Sequence, residues 1–188
     1  MTGVGLEHLH GLYAGGDDPW AFRTSGYERQ KFAQTRKALS RTHYQSAFEL
    51  GCGNGQLAYH LADICARYAG MDAVEKALEA ARHAVPTASF TQGYYPCPLP
   101  DDDFDLLIFS EILYFLDKDS LGTLAVTVAD KWPDAELICV SYFGQSGNDL
   151  QGSDAFAIFA HALSGTHEFD LVWQTEGYRI DCGLPRAG

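Results

Sequence analysis

Basic residues are scarce: 13 Lys and Arg stand against 25 Asp and Glu, for a formal net charge of −12. Nucleic-acid affinity rests on Lys and Arg neutralising phosphates, so no nucleic-acid partner is expected. An anionic membrane surface is disfavoured on the same ground. Long apolar runs are lacking too, and Met1 to Gly16 does not show the charged-then-apolar layout of a signal peptide. The five cysteines, Cys52, Cys65, Cys97, Cys139 and Cys182, are scattered, odd in number and without a C-x-x-C pair. That pattern suggests neither a zinc site nor a disulfide framework, and reduced thiols in a cytoplasmic protein are the expectation. There is no internal repeat, low-complexity tract or second-domain linker. The 188 residues therefore suit one globular domain with a proper core. A small-molecule ligand is the easier partner, and a basic amine suits an acidic surface.

What the chain does have is glycine in one dense cluster. The apolar run Ala47-Phe48-Glu49-Leu50 leads into Gly51-Cys52-Gly53-Asn54-Gly55. After it, Leu57, Ala58, Leu61, Ala62 and Cys65 fall on one face of a helix. The glycines thus sit at a strand-to-helix junction, where missing Cβ atoms permit a tight turn and close approach of a ligand. The N–H groups at the helix start suit a carboxylate or phosphate. Dinucleotide sites use G-x-G-x-x-G, and the spacing Gly51-x-Gly53-x-Gly55 is one residue tighter. A glycine turn with no ligand is the plainer alternative.

The rest alternates strand and helix. Tyr68–Asp72 reads as a second strand ending in an acid, 21 residues beyond Gly51. Asp72 there suits the two hydroxyls of a ribose, a role compatible with capping the helix expected from Ala73 to His83. A third strand, Ala88–Thr91, leads to irregular backbone at Gln92-Gly93-Tyr94-Tyr95 and the prolines after it. Asp101, Asp102 and Asp103 read as solvated surface. Phe104–Ser110 is a near-continuous apolar run, as in a strand covered on both faces. Ser110, Glu111 and Tyr114 follow at its carboxyl end, where open α/β sheets bind ligands. A helix carrying Leu121, Leu124, Ala125, Val128 and Trp132 ends at Pro133, and Glu136–Phe143 makes a fifth strand. Then come a helix from about Asp154 to Leu163 and an antiparallel pair, Phe169–Thr175 with Tyr178–Cys182. The class is α/β, a doubly wound Rossmann-like sheet, mostly parallel with an antiparallel closing strand.

Residues 1–25 read as an arm before a single domain over 26–188. Its first part, Met1 to Asp18, suits a loop or a loosely formed helix. His8 and His10 have no metal-ligand spacing, and no metal is expected. Trp20, Phe22 and Arg23 support two readings. Either the aromatics anchor the arm to the domain, or the arm is a flap with Trp20 over a cofactor and Arg23 on its carboxylate.

Two resemblances now carry weight. Glu49-x-Gly51-x-Gly53-x-Gly55 resembles motif I of the class I S-adenosylmethionine methyltransferases, whose seven-stranded sheet ends in a reversed strand. More narrowly, Asp18-Pro19-Trp20-Ala21-Phe22-Arg23-Thr24-Ser25-Gly26-Tyr27-Glu28-Arg29, Glu49-Leu50-Gly51-Cys52-Gly53 and Ser110-Glu111-Ile112-Leu113-Tyr114-Phe115-Leu116 together resemble the nodulation protein S family. Members of that family are N-methyltransferases acting on the free amine of a chitooligosaccharide. The resemblance implies S-adenosylmethionine as cofactor and a small-molecule methyl acceptor, an amine such as that of an amino sugar or oligosaccharide. It adds Cys52, Ala73, Gln92, Gly93, Tyr94 and Ser110 to Trp20, Arg23, Glu49, Gly51, Gly53, Gly55 and Asp72 as cofactor-binding candidates. Glu111 and Tyr114 are the catalytic candidates, since an ammonium must lose a proton before it attacks. One departure stands out: Gln92-Gly93-Tyr94 occupies the place where the family carries an acid for the adenine amino group. Adenine reading then falls to Gln92 and backbone N–H groups. A non-catalytic S-adenosylmethionine-binding protein and a nicotinamide-dependent oxidoreductase are the alternatives.

Overall fold

The computed structural model describes residues 3–187. Seven strands form one sheet: β1 (Tyr44–Leu50), β2 (Cys65–Asp72), β3 (Ser89–Gln92), β4 (Leu106–Ser110), β5 (Glu136–Tyr142), β6 (His167–Gln174) and β7 (Tyr178–Pro185). Their order across the sheet is β3-β2-β1-β4-β5-β7-β6. The first five are parallel, while β7 runs antiparallel to both β5 and β6. This is the expected seven-stranded sheet with a reversed closing strand. Among the described residues six α-helices accompany it: α1 (Leu6–Leu12), α2 (Gly26–Ala38), α3 (Gln56–Leu61), α4 (Glu75–Ala84), α5 (Lys118–Lys131) and α6 (Gly152–Ala162).

Alternation along the central strands sorts the helices onto two faces. Leu107 and Phe109 of β4 join Leu121, Leu124 and Val128 of α5 and Phe159 of α6. Leu106 and Ile108 point the other way, to Phe32 of α2, Leu57 and Leu61 of α3 and Leu78 of α4. These four of the five β4 side chains are essentially without exposure, and they are apolar because both faces are covered. Burial of each contributes about 1.5–3 kcal/mol relative to exposure. Substituting Ile108 with a charged residue would break this layer.

Some boundaries differ from the sequence expectation. The helix after the glycine turn stops at Leu61, a 3-10 turn covers Ala62–Ile64, and Cys65 begins β2. Cys65 aligns with Tyr44 in the parallel ladder, so sheet pairing claims a residue that helical periodicity had assigned to α3. Helix α4 starts at Glu75 and not Ala73, because the Val74 N–H is bonded to the Asp72 carboxylate at 3.0 Å. The arm carries a seven-residue helix, α1, with none of its residues buried, within the loop or loosely formed helix expected there. Among the described residues no helix is long and apolar enough to cross a membrane.

Chain connections leave β1 and β4 in opposite directions, toward β2 and toward β5. Neighbouring parallel strands with that property open a crevice at their carboxyl ends. The residues that end β1, β2, β4 and β5 face it.

Candidate active site

The crevice is a cavity of about 540 Å³. One side is made by the turn after β1. Gly51 and Gly53 have φ of +75° and +51°, a region that L side chains rarely adopt. The turn is locked to β2: Gly51 N and Cys52 N both donate to the Met71 carbonyl, at 2.7 and 3.1 Å. Gly53 N donates to Asp72 Oδ2 at 2.8 Å, while Val74 N donates to Asp72 Oδ1. One carboxylate thus holds both the glycine turn and the start of α4, and the residue lines the cavity. Burial raises the Asp72 pKa above its ordinary value, against the pull of the N–H groups of Val74, Gly53 and Ala73.

Glu49 lies behind the turn, almost fully buried, and accepts a hydrogen bond from the Tyr68 hydroxyl at 2.7 Å. Burial pushes its carboxyl up to about 8, with the Asp72 charge adding to that and Tyr68 opposing it. A positive group entering the cavity would favour its ionised form.

Asn54, also in the turn, is 2 % exposed. Its Nδ2 donates to the Asp17 carbonyl at 3.1 Å and to Asp18 Oδ1 at 2.9 Å, which ties the arm to the turn. Its Oδ1 has no partner, a buried acceptor on the cavity wall. The arm completes that wall with an aromatic chain in which Trp20 stacks on Phe22 at 5.4 Å and meets Tyr13 edge-on at 5.5 Å.

The other side is built around Glu111, directly after β4. This non-glycine residue has φ of +55°, a strained backbone of the kind that persists where surrounding structure imposes it. Its N–H donates to the Val140 carbonyl at 2.8 Å, and its carboxylate accepts from Lys31 Nζ at 2.5 Å. Lys31 is 2 % exposed and also pairs with Glu28 Oε2 at 2.7 Å. Glu28 and Glu111 both line the cavity. Tyr114 lies beside them. Burial first, then the Glu111 charge, holds its hydroxyl far above the ordinary phenol range, so it can donate a hydrogen bond but not act as a base.

Most of the sequence-predicted residues meet here. Glu49, Gly51, Cys52 and Gly53 line the cavity from the first turn, and Asp72 and Ala73 from the second. Gly93, Tyr94 and Ser110 join them, with Trp20 from the arm and the catalytic candidates Glu111 and Tyr114. Three candidates stand elsewhere. Arg23 points away, its guanidinium held by both Asp17 oxygens at 2.8 and 2.6 Å; a local acid six residues back captures it. Gly55 serves packing, since a Cβ there would lie 2.8 Å from the Ala81 backbone of α4. Gln92 is exposed and ties the end of β3 to the turn after β2, with Nε2 donating to the Ala73 carbonyl at 3.1 Å. Sequence reasoning missed Glu28, Lys31, Asn54 and Tyr13. Glu28 and Lys31 form an i,i+3 pair, the ordinary pattern of an exposed helix face, so nothing local marked them for burial.

Comparison with known proteins places the family and the fold. Residues 9–162 match the family model described as nodulation protein S. The nodulation protein S of Bradyrhizobium diazoefficiens is 32% identical over 106 residues, covering 53% of this chain and 50% of that protein. An uncharacterized methyltransferase of Synechocystis sp. is 38% identical over 145 residues, covering 77% of this chain and 66% of that protein. The chain thus spans about half the length of the curated nodulation protein it matches. The crystal structure of the N-methyltransferase NodS from Bradyrhizobium japonicum, in complex with S-adenosyl-L-homocysteine, has the same fold. Its TM-score is 0.82 over 97% of this chain and 98% of that one, at 21% identity.

Proposed function

The chain belongs to the nodulation protein S family, and from that premise we propose that it is an S-adenosylmethionine-dependent methyltransferase acting on the amine of a small acceptor. The observation that carries this reading is one cavity bounded on one side by the glycine turn with Asp72 and on the other by Glu28 and Glu111. The donor set fits the cofactor. Gly53 leaves open space where a side chain would intrude, with only the Tyr13 hydroxyl within 3.3 Å of a Cβ position. Asp72 would accept from ribose hydroxyls, and the orphaned Asn54 Oδ1 would accept from an ammonium.

Bound S-adenosylmethionine would supply a methyl group already activated on a sulfonium, so placement accounts for much of the rate. The protein's part is then to position and to move one proton. The acceptor arrives as an ammonium; Glu111, fixed by its backbone and by Lys31, pairs with it and takes its proton. The Tyr114 hydroxyl, kept protonated, orients the acceptor by donating a hydrogen bond. The arm over residues 1–25 covers the cofactor, with Trp20 and Tyr13 keeping water from the reacting centre. Amino sugars are the first acceptors to try, since relatives are named for nodulation and one is an N-methyltransferase.

Calorimetric titration with S-adenosylhomocysteine and NAD side by side tests the cofactor reading, followed by transfer assays on a panel of amines, amino sugars and alcohols. Heat with S-adenosylhomocysteine alone and product from amines are expected. Binding of NAD, or methylation of alcohols only, would overturn the reading.

A further inference from the structure

Lys31 does not line the cavity, yet it contacts two of the carboxylates that do, Glu28 and Glu111. A buried ammonium needs a partner, and either carboxylate alone would supply one. Here a single ammonium bridges two, one from its own helix and one from the turn after β4, 80 residues on. Such buried networks contribute little net stability over an apolar replacement, so stability does not explain this one. Its electrostatic effect does. Two carboxylates this close, without the ammonium, would share one proton and present at most one charge. With it between them their repulsion is offset, and both carboxylates face the cavity as hydrogen-bond acceptors.

We infer that Lys31 is a positioning residue that holds Glu28 and Glu111 as a paired carboxylate receptor for a protonated amine. This rests on the amine reading of the acceptor given above. The surroundings agree. Beyond the two glutamates, Asp18 of the arm is the other acid bearing on Glu28, and the Tyr27 and Tyr178 rings lie 5.5 and 6.0 Å from Lys31 Nζ. Those rings and Tyr114 add neutral phenols and no competing cation. Burial pulls the Lys31 ammonium down, and the two carboxylates more than restore it, leaving it raised. Burial raises Glu28, and Lys31 is what opposes that rise most.

The test follows the side-chain carboxyl carbon of Glu28 by NMR through a pH titration of the protein saturated with S-adenosylhomocysteine. In Lys31→Met the Glu28 midpoint should rise by about one pH unit or more, and Lys31→Arg should bring it back toward wild type. A folded Lys31→Met with the wild-type midpoint would overturn the proposal, because a merely structural lysine would leave it unmoved. If Lys31→Met does not fold, the wild type decides: its Lys31 Nζ must remain an ammonium at pH 9 and shift in Glu28→Gln. A neutral Lys31, or one blind to Glu28→Gln, would also overturn it. Glucosamine, with N-acetylglucosamine as the uncharged control, separates the two readings. It should bind wild type and lose about tenfold in affinity in Lys31→Met. A wild type indifferent to glucosamine, with the Glu28 midpoint still moved, would overturn the amine reading and leave the role of Lys31 standing.

Discussion

On one side the cavity is made of backbone and short local links: two glycines at positive φ, their N–H groups bonded to Met71 and Asp72, and one carboxylate shared by two turns. On the other it is made of long charged side chains: Glu28 of α2 and Glu111 line it, and Lys31 behind them pairs with both. A backbone site tolerates almost no added volume, but its geometry is fixed by residues close in sequence. A side-chain site keeps its shape under small changes and depends on the charge of every member.

Five changes would break or sharpen that contrast, beginning with the most severe. Gly53→Val places a branched side chain at φ of +51° on the cavity wall, and should abolish measurable S-adenosylhomocysteine binding by calorimetry. Wild-type affinity would remove the glycine turn from the site. Glu111→Gln keeps the shape but removes the proposed base. Turnover on an amine acceptor should fall by about 10²-fold while S-adenosylhomocysteine affinity stays within about twofold. Equal losses in both would show that the two sides are not separable. Asp72→Ala should weaken cofactor binding by about 1.5–3 kcal/mol, as for a charged acceptor, with the fold checked by circular dichroism.

Glu49 offers a pH-dependent version. Its carboxyl stands at about 8 in the folded chain against an ordinary 4.5. Between those values the folded state holds a proton that the unfolded chain has shed, so stability falls as pH rises. Glu49→Gln should therefore match wild type near pH 5 in the cofactor-free protein and exceed it at pH 8.5, by on the order of 5 °C in Tm. A constant gap across that range would place the charge of Glu49 outside the balance. Least of all, Arg23→Ala should change S-adenosylhomocysteine affinity less than about twofold, since Asp17 and not the cavity holds the guanidinium. A tenfold loss would mean that Arg23 leaves Asp17 when the cofactor binds.

The sequence alone determined the backbone side. Glycine spacing after an apolar run, an acid 21 residues on and a doubly covered fourth strand are local signals, because turn geometry and strand burial are set by neighbouring residues. It also placed Glu111 at the carboxyl end of that strand. It did not show that α2 carries a buried lysine, since an i,i+3 Glu–Lys pair reads the same on an exposed face as on a covered one. Nor did it show that Arg23 turns to Asp17 or that Asn54 ties the arm to the glycine turn. Those outcomes belong to the tertiary structure. The sheet order sets β4 between β1 and β5, and packing of α2 on that sheet brings Lys31 to a residue 80 positions away. Burial is a property of what lies opposite a residue, and only the assembled fold supplies that.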